Sequence, residues 1–384
     1  MIPAKRIHTV EEYYFSKKLR EVRGLVAAGK SIINLGIGSP DLQPPSVVVD
    51  ALEASLHDET AHKYQSYQGI PELRNAIADF YLKNYNVSLN ANEEVLPLMG
   101  SKEGIMHISM AYLDEGDEVL IANPSYPTYT SVTKLLGAVP KYYNLEASND
   151  WLPNLEALEQ HDLSKVKLMW VNYPHMPTGA KASKSFFEKL IIFAKKHQIL
   201  IINDNPYSFI LNDEPLSILA LKGAKEVALE LNSLSKSFNM AGWRTGMVMG
   251  KAEHIQHVLK VKSNMDSGMF YGIQKGAIKA LESSTTWFTE LNNIYKKRRE
   301  LVWEIAEKLH CTFDTETSGM FVWAKLPATN TLTSEAFIDK LLYEKDVFIT
   351  PGSIFGTQGE GYIRFSLCVS EEKIKEVIKR ITAA

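Results

Sequence analysis

The sequence predicts an α/β fold: a large domain with a mostly parallel central sheet flanked by helices, and a smaller α+β domain. Three observations predict it. Short apolar runs bounded by turn residues recur between stretches with helical periodicity. The polar residues with chemical potential stand just after those runs, where open α/β sheets bind ligands. The last third of the chain changes pattern, to one long helical segment followed by short strands and a helix.

The strands come first. Glu118–Ala122 is a short apolar run that ends in the turn Asn123-Pro124-Ser125. Lys167–Asn172 is a second, stopped at Pro174, and Ile199–Asp204 and Val227–Asn232 are a third and fourth. Between them Ser183–Lys196 carries apolar residues at i, i+3 and i+4, the stripe of a helix packed on one face. Strands alternating with helices imply a parallel sheet covered on both sides. Further on, a long helix is expected over Thr285–Leu309, then strands at Phe321–Ala324, Val347–Thr350 and Tyr362–Ser366, with a helix over Ser334–Glu344. The expected division is a large domain over 46–280, with 1–45 and 281–384 forming an amino-terminal arm and the small domain.

Composition excludes several classes of function. The chain has 384 residues and a net charge of -3, so neither nucleic acid nor an anionic membrane is favoured as a partner. Lys296-Lys297-Arg298-Arg299 is basic, but Glu300 and Glu304 follow at helical spacing, which reads as a solvated helix face. Cys311 and Cys368 lie far apart without metal-ligand spacing, so no metal site is expected. The first fifteen residues carry charges throughout and do not form a signal peptide. No apolar run is long enough to span a bilayer. The cytoplasm is the expected compartment. A G-x-G-x-x-G turn and a P-loop are both missing, which argues against a nucleotide-binding protein.

The most informative local feature is Lys236 in Asn232-Ser233-Leu234-Ser235-Lys236-Ser237, followed eight residues later by Arg244 in Ala241-Gly242-Trp243-Arg244-Thr245-Gly246. A lysine among hydroxyls with an arginine among glycines suits pyridoxal 5'-phosphate (PLP): the amine forms a Schiff base and the hydroxyls and guanidinium hold the phosphate. Gly100-Ser101-Lys102-Glu103-Gly104 precedes a helical stretch, whose free N–H groups and positive dipole end suit a phosphate. Asp204 and Tyr207 in Asp204-Asn205-Pro206-Tyr207, Tyr126 in Asn123-Pro124-Ser125-Tyr126, Tyr64 ahead of Gly69, Gly38 in Gly36-Ile37-Gly38, and Arg364 in a late strand complete the set.

In this order the motifs resemble a class I/II aminotransferase, a fold-type I PLP enzyme of the aspartate aminotransferase superfamily, over nearly the whole chain. The resemblance implies a residue-by-residue site. The backbone of Ser101 and Lys102, with Ser233 and Arg244, would hold the phosphate, and Tyr64 would reach the phosphate of a neighbouring subunit. Asp204 would pair with the pyridine nitrogen and keep it protonated, so that the ring serves as an electron sink. Tyr207 would bond the ring 3'-oxygen and Tyr126 would stack on the ring face. Arg364 would grip the substrate α-carboxylate, with Gly38 close by, and Thr350–Gly356 would line the entrance. Lys236 would carry the Schiff base and act as base at the substrate Cα. The implied activity is amino transfer from an amino acid to a 2-oxo acid, by a homodimer with shared active sites.

One departure stands out. The family reads Asn-Pro-Thr-Gly where this chain reads Met176-Pro177-Thr178-Gly179. The resemblance gives the asparagine the ring oxygen and part of the substrate carboxylate, and methionine cannot donate either bond. Tyr207 alone, His175 or a water would have to compensate. Two other readings stay open. A carbon–sulfur β-lyase shares the cofactor site and the carboxylate arginine. A non-catalytic binding protein could keep the fold, although nothing in the charge or motifs provides a DNA-binding module.

Overall fold

The computed structural model describes residues 1–383. Its strands are β1 (Ile33–Asn34), β2 (Val95–Leu98), β3 (Glu118–Asn123), β4 (Val139–Asn144), β5 (Val166–Val171), β6 (Leu200–Asp204), β7 (Ala228–Ser233), β8 (Gly246–Met249), β9 (Thr312–Phe313), β10 (Phe321–Lys325), β11 (Val347–Phe348), β12 (Thr350–Pro351) and β13 (Tyr362–Ser366). Seven of them form a central sheet in the order β2-β8-β7-β6-β5-β3-β4. Only β8 runs against its neighbours β2 and β7. The mostly parallel α/β sheet expected from the sequence is therefore present.

Alternation along the strands builds two cores. Leu120, Met169, Ile201 and Ala228 pack on one face with Leu73, Ile77 and Leu190 from the helices Pro71–Tyr85 and Lys184–His197. Their neighbours Ile121, Trp170, Ile202 and Leu229 pack on the other with Ile105, Ile108 and Val132. Period-two side chains on a sheet covered from both sides require this near-continuous apolar sequence. The helix Lys184–His197 starts where Ser183 Oγ accepts the Phe186 N–H at 3.1 Å and stops at Gln198, which turns left-handed with φ 56°.

Three strands of this central sheet were not legible in the sequence: β2, β4 and β8. β2 and β4 are the two edges of the sheet, and each contains a proline, Pro97 and Pro140. Proline lowers any strand expectation and is tolerated only where one side of the strand is unpaired. β8 is four residues long, too short for its periodicity to register.

A four-stranded antiparallel sheet, β12-β13-β10-β9, packs with the helices Thr285–Lys308, Ser334–Lys345 and Glu371–Thr382 around a separate apolar cluster. The amino-terminal segment is tied to it. β1 pairs in parallel with β11, and Lys18 is buried in an ion pair with Asp339 at 2.6 Å. The strand expected over Val347–Thr350 is in fact two. Val347–Phe348 pairs with β1, while Thr350–Pro351 pairs with β13, so one short segment serves two sheets. The basic run is also not a solvated face throughout. Lys296 and Lys297 are exposed, but Arg298 is buried in a two-pronged pair with Asp41 (2.6 and 2.9 Å), and Arg299 stacks on Trp303. Both arginines use the face of the helix that meets the rest of the chain.

This architecture fixes the site. The carboxyl ends of β3, β6 and β7 place Asn123, Asp204 and Ser233 at one end of the sheet, and the helix Ser101–Tyr112 starts just after β2 at the same end. Among the described residues no helix is long and apolar enough to cross a membrane.

Candidate active site

A cavity of about 510 Å³ opens at that end of the sheet. Its lining includes four basic side chains, Lys102, Lys236, Arg244 and Arg364, against one carboxyl group, Asp204. Such a space attracts anions.

Lys236 lies in the short helix Leu234–Ser237 immediately after β7, and its Nζ donates to the Gly38 carbonyl at 2.5 Å. Burial pushes its pKa below the ordinary lysine range; Arg364 and Arg244 push the same way, against Cys368 and Asp204. Gly38 must lack a side chain, because a Cβ there would overlap the Phe321 ring. Asp204 closes β6 and is 5% exposed. Its Oδ2 accepts from the Tyr129 hydroxyl at 2.7 Å, while its Oδ1 is buried with no hydrogen-bond partner. Burial raises its pKa to about 6, even though Tyr129 and Lys236 favour the ionised form. A buried oxygen without a donor is costly and marks a place where a proton donor belongs.

Another part of the same cavity lining is suited to a phosphate. The helix Ser101–Tyr112 points its amino terminus there, with Ser101, Lys102, Ser233 and Ser235 on the lining. Arg244 sits in a left-handed conformation (φ 53°) with Nη1 on the Ala241 carbonyl at 2.9 Å. Gly100, at φ 91°, admits it: a Cβ at that position would overlap the guanidinium.

On the small-sheet side Arg364 projects from the middle of β13 and is 4% exposed. Its guanidinium carbon lies 3.9 Å from the Phe321 ring centroid and 4.7 Å from that of Phe355. Nη2 donates to the Gly36 carbonyl at 2.8 Å, Nη1 meets the Met176 sulfur at 3.3 Å, and Nε has no partner. Burial lowers its pKa to about 10, which still leaves it cationic at neutral pH.

The sequence profile of the family described as Aminotransferase class I and II matches residues 30–381. This chain belongs to that family. The LL-diaminopimelate aminotransferase of Maridesulfovibrio salexigens is 41% identical over 382 residues, 99% of this chain and 98% of that protein. The enzyme of the same name from Dehalococcoides mccartyi is 42% identical over 383 residues, 98% and 97% of the two chains. Among solved structures, apo-BacF from Bacillus subtilis superposes with a TM-score of 0.95 at 36% identity, covering 99% of this chain and 98% of that one. A Thermus thermophilus aspartate aminotransferase mutant gives 0.91 at 26% identity, covering 99% and 98%. The fold is thus that of the fold-type I aminotransferases.

In this aminotransferase the structure brings ten of the eleven site residues named from sequence into one cavity: Gly38, Ser101, Lys102, Tyr126, Asp204, Tyr207, Ser233, Lys236, Arg244 and Arg364. Tyr64 is not among them. It is 91% exposed and lies in a separate shallow depression with Gln65 and Ser267 to Phe270. His175 is buried and is not among the residues lining the cavity; its Nδ1 meets Thr178 Oγ1 at 2.8 Å, while its Nε2 has no partner. Asn172 does line the cavity, but its amide donates to the Asp204 carbonyl and its oxygen accepts the Met176 N–H at 2.9 Å.

Sequence reasoning missed Tyr129, Tyr13, Phe15 and Phe321, whereas Phe355 falls in the Thr350–Gly356 stretch expected at the entrance. Tyr129 had a usable signal, because it falls three residues after Tyr126, in the first turn of the helix Pro127–Leu135 that Tyr126 precedes. Phe15 and Phe321 reach Arg364 from distant segments, and nothing local announces them.

Proposed function

We propose that this aminotransferase works with PLP held in the 510 Å³ cavity, and that Lys236 is the residue that binds it covalently. The observation that carries the reading is the unpartnered Oδ1 of Asp204, buried in the lining of a cavity that also meets a helix amino terminus with Arg244 beside it. A protonated pyridine nitrogen and a phosphate on one ligand fit those two features. When bound, the cofactor supplies an electron sink for the charge left at the substrate Cα.

The chain's own residues do the rest. Asp204, fixed by Tyr129, would hold the ring nitrogen's proton. The backbone of Ser101 and Lys102, with Ser233 and Arg244, would bind the phosphate, Tyr126 would stack on the ring and Tyr207 would donate to the ring oxygen. Arg364 takes the substrate α-carboxylate in a desolvated aromatic setting that strengthens the pair. Lys236, whose pKa burial lowers, is placed to take a proton from the substrate Cα.

The exposed Tyr64 completes the phosphate site of a second copy, which makes the working unit a homodimer. The two free cysteines suit a cytoplasmic setting. LL-diaminopimelate is the first amino donor to try. Two relatives carry that name, and the Lys102 ammonium, 4.5 Å from the Tyr13 ring centroid and in no ion pair among the described residues, offers a partner to a second carboxylate.

The test is an absorbance spectrum of the purified protein with PLP, taken before and after adding amino acids one at a time. A visible band that bleaches with particular donors, and returns with a 2-oxo acid, is the expected result. A persistent band with pyruvate and ammonia released from cystathionine would replace the assignment with a carbon–sulfur lyase. Absence of any band with added PLP would end it.

A further inference from the structure

Phe355 forms part of the Arg364 surroundings: it is buried in the apolar cluster of the small sheet, edge-on to Trp323, and lines both the 510 Å³ cavity and a second one of about 350 Å³. Its place against Arg364 also depends on how its backbone is held. That backbone belongs to the segment Gly352–Gly359, which leads into β13 and approaches the carboxyl end of β3.

One side chain joins the two. Asn123, the last residue of β3 and 8% exposed, donates from Nδ2 to Thr357 Oγ1 at 2.8 Å and accepts from the Gln358 N–H at Oδ1, 3.1 Å. The same Nδ2 lies 3.2 Å from Asn144 Oδ1, which orients the amide from the β4 side. Two residues on, the Ser125 N–H donates to the Phe355 carbonyl at 2.8 Å. Gly356 stands between these bonds at φ 135°, and a Cβ there would overlap Asn123 Oδ1. The segment is thus shaped around the asparagine. Its 350 Å³ neighbour, lined by Asn123, Ser125, Thr357 and Phe355, leaves room for the loop to move if the bonds are lost.

We propose that Asn123 is a positioning residue for substrate-carboxylate recognition. It acts through Thr357 and Gln358, setting Phe355 against the Arg364 guanidinium across the boundary between the two sheets. Tyr126, the ring-stacking residue of the proposed cofactor site, lies three residues on in the same turn, so cofactor affinity is read alongside KM. The inference rests on the reading of Arg364 as the carboxylate anchor.

The experiment compares Asn123→Ala, Thr357→Val and Arg364→Lys with the unchanged holoenzyme, using the first donor that the spectral panel returns. Four quantities are read: KM and kcat for that donor, the PLP dissociation constant, and the cofactor absorbance. Asn123→Ala should raise KM by about tenfold, the order for one or two lost hydrogen bonds. Its kcat should stay within about twofold, with PLP affinity and absorbance unchanged. Thr357→Val, at an exposed position and safe for folding, should shift KM in the same direction by a smaller factor. A raised KM in Arg364→Lys with unaltered KM in both latch variants would overturn this proposal alone. An unaltered KM in Arg364→Lys would overturn the carboxylate assignment, and this proposal with it. Weakened PLP binding in Thr357→Val would show a general structural role and refute the inference.

Discussion

Asp204→Asn offers the most direct test of how this site is built. In the cofactor-free protein the Asp204 carboxyl is raised from the usual 3.8 to about 6. Between those values the native state keeps a proton that the unfolded chain has lost. Stability therefore falls as pH rises through that window. At about 1.4 kcal/mol per pH unit, a rise of about two units corresponds to about 3 kcal/mol lost by pH 7. Asparagine cannot ionise, so subtracting the variant's stability from that of the unchanged protein removes the other titrating groups. The assay is urea unfolding of both proteins, freed of cofactor, at intervals from pH 4 to 7. The difference should fall by about 3 kcal/mol across the series. Added PLP should flatten it, because a cationic ring nitrogen favours the ionised carboxylate. A difference that is flat without cofactor, or that rises with pH, would refute the argument that burial governs this group.

Other outcomes follow from the same geometry. Tyr129→Phe removes the 2.7 Å bond to Asp204 while keeping the ring stacked on Trp170, and a bond to a charged group is worth about 1.5–3 kcal/mol. The acidic limb of the kcat/KM profile should move up by about one to two pH units, and an unmoved limb would count against the bond. Met176→Asn restores an amide beside Arg364 and should lower KM for amino acids by about tenfold or more. It should also reduce stability by about 2 kcal/mol, since Met176 packs in an apolar cluster; steady-state kinetics and urea unfolding check the two halves. Lys236→Ala should abolish turnover yet leave PLP bound without a covalent link, as judged by borohydride reduction followed by mass measurement. Full turnover in that variant would remove Lys236 from the mechanism.

The sequence by itself determined the α/β class, four of the five inner strands of the large sheet (β3, β5, β6 and β7), and the cavity residues Lys236, Asp204, Arg244 and Arg364. These were legible because buried parallel strands are written as continuous apolar runs, and because chemistry at strand ends keeps its residues within short motifs. The edge strands β2 and β4 were not legible, since prolines erase their signal and pairing on one side supplies it. Tertiary structure alone decided the features that depend on residues far apart in the chain. Asp204 has one satisfied oxygen and one orphan because Tyr129 arrives from another element. Arg298, which looks solvated by its neighbours in sequence, is buried because Asp41 meets it across 257 positions. Arg364 lies among Phe15, Phe321 and Phe355, brought from three segments. Tyr64 remains outside because its place is on the surface of a single chain. Local sequence encodes periodicity and turn chemistry, whereas burial and electrostatic surroundings are properties of the assembled space.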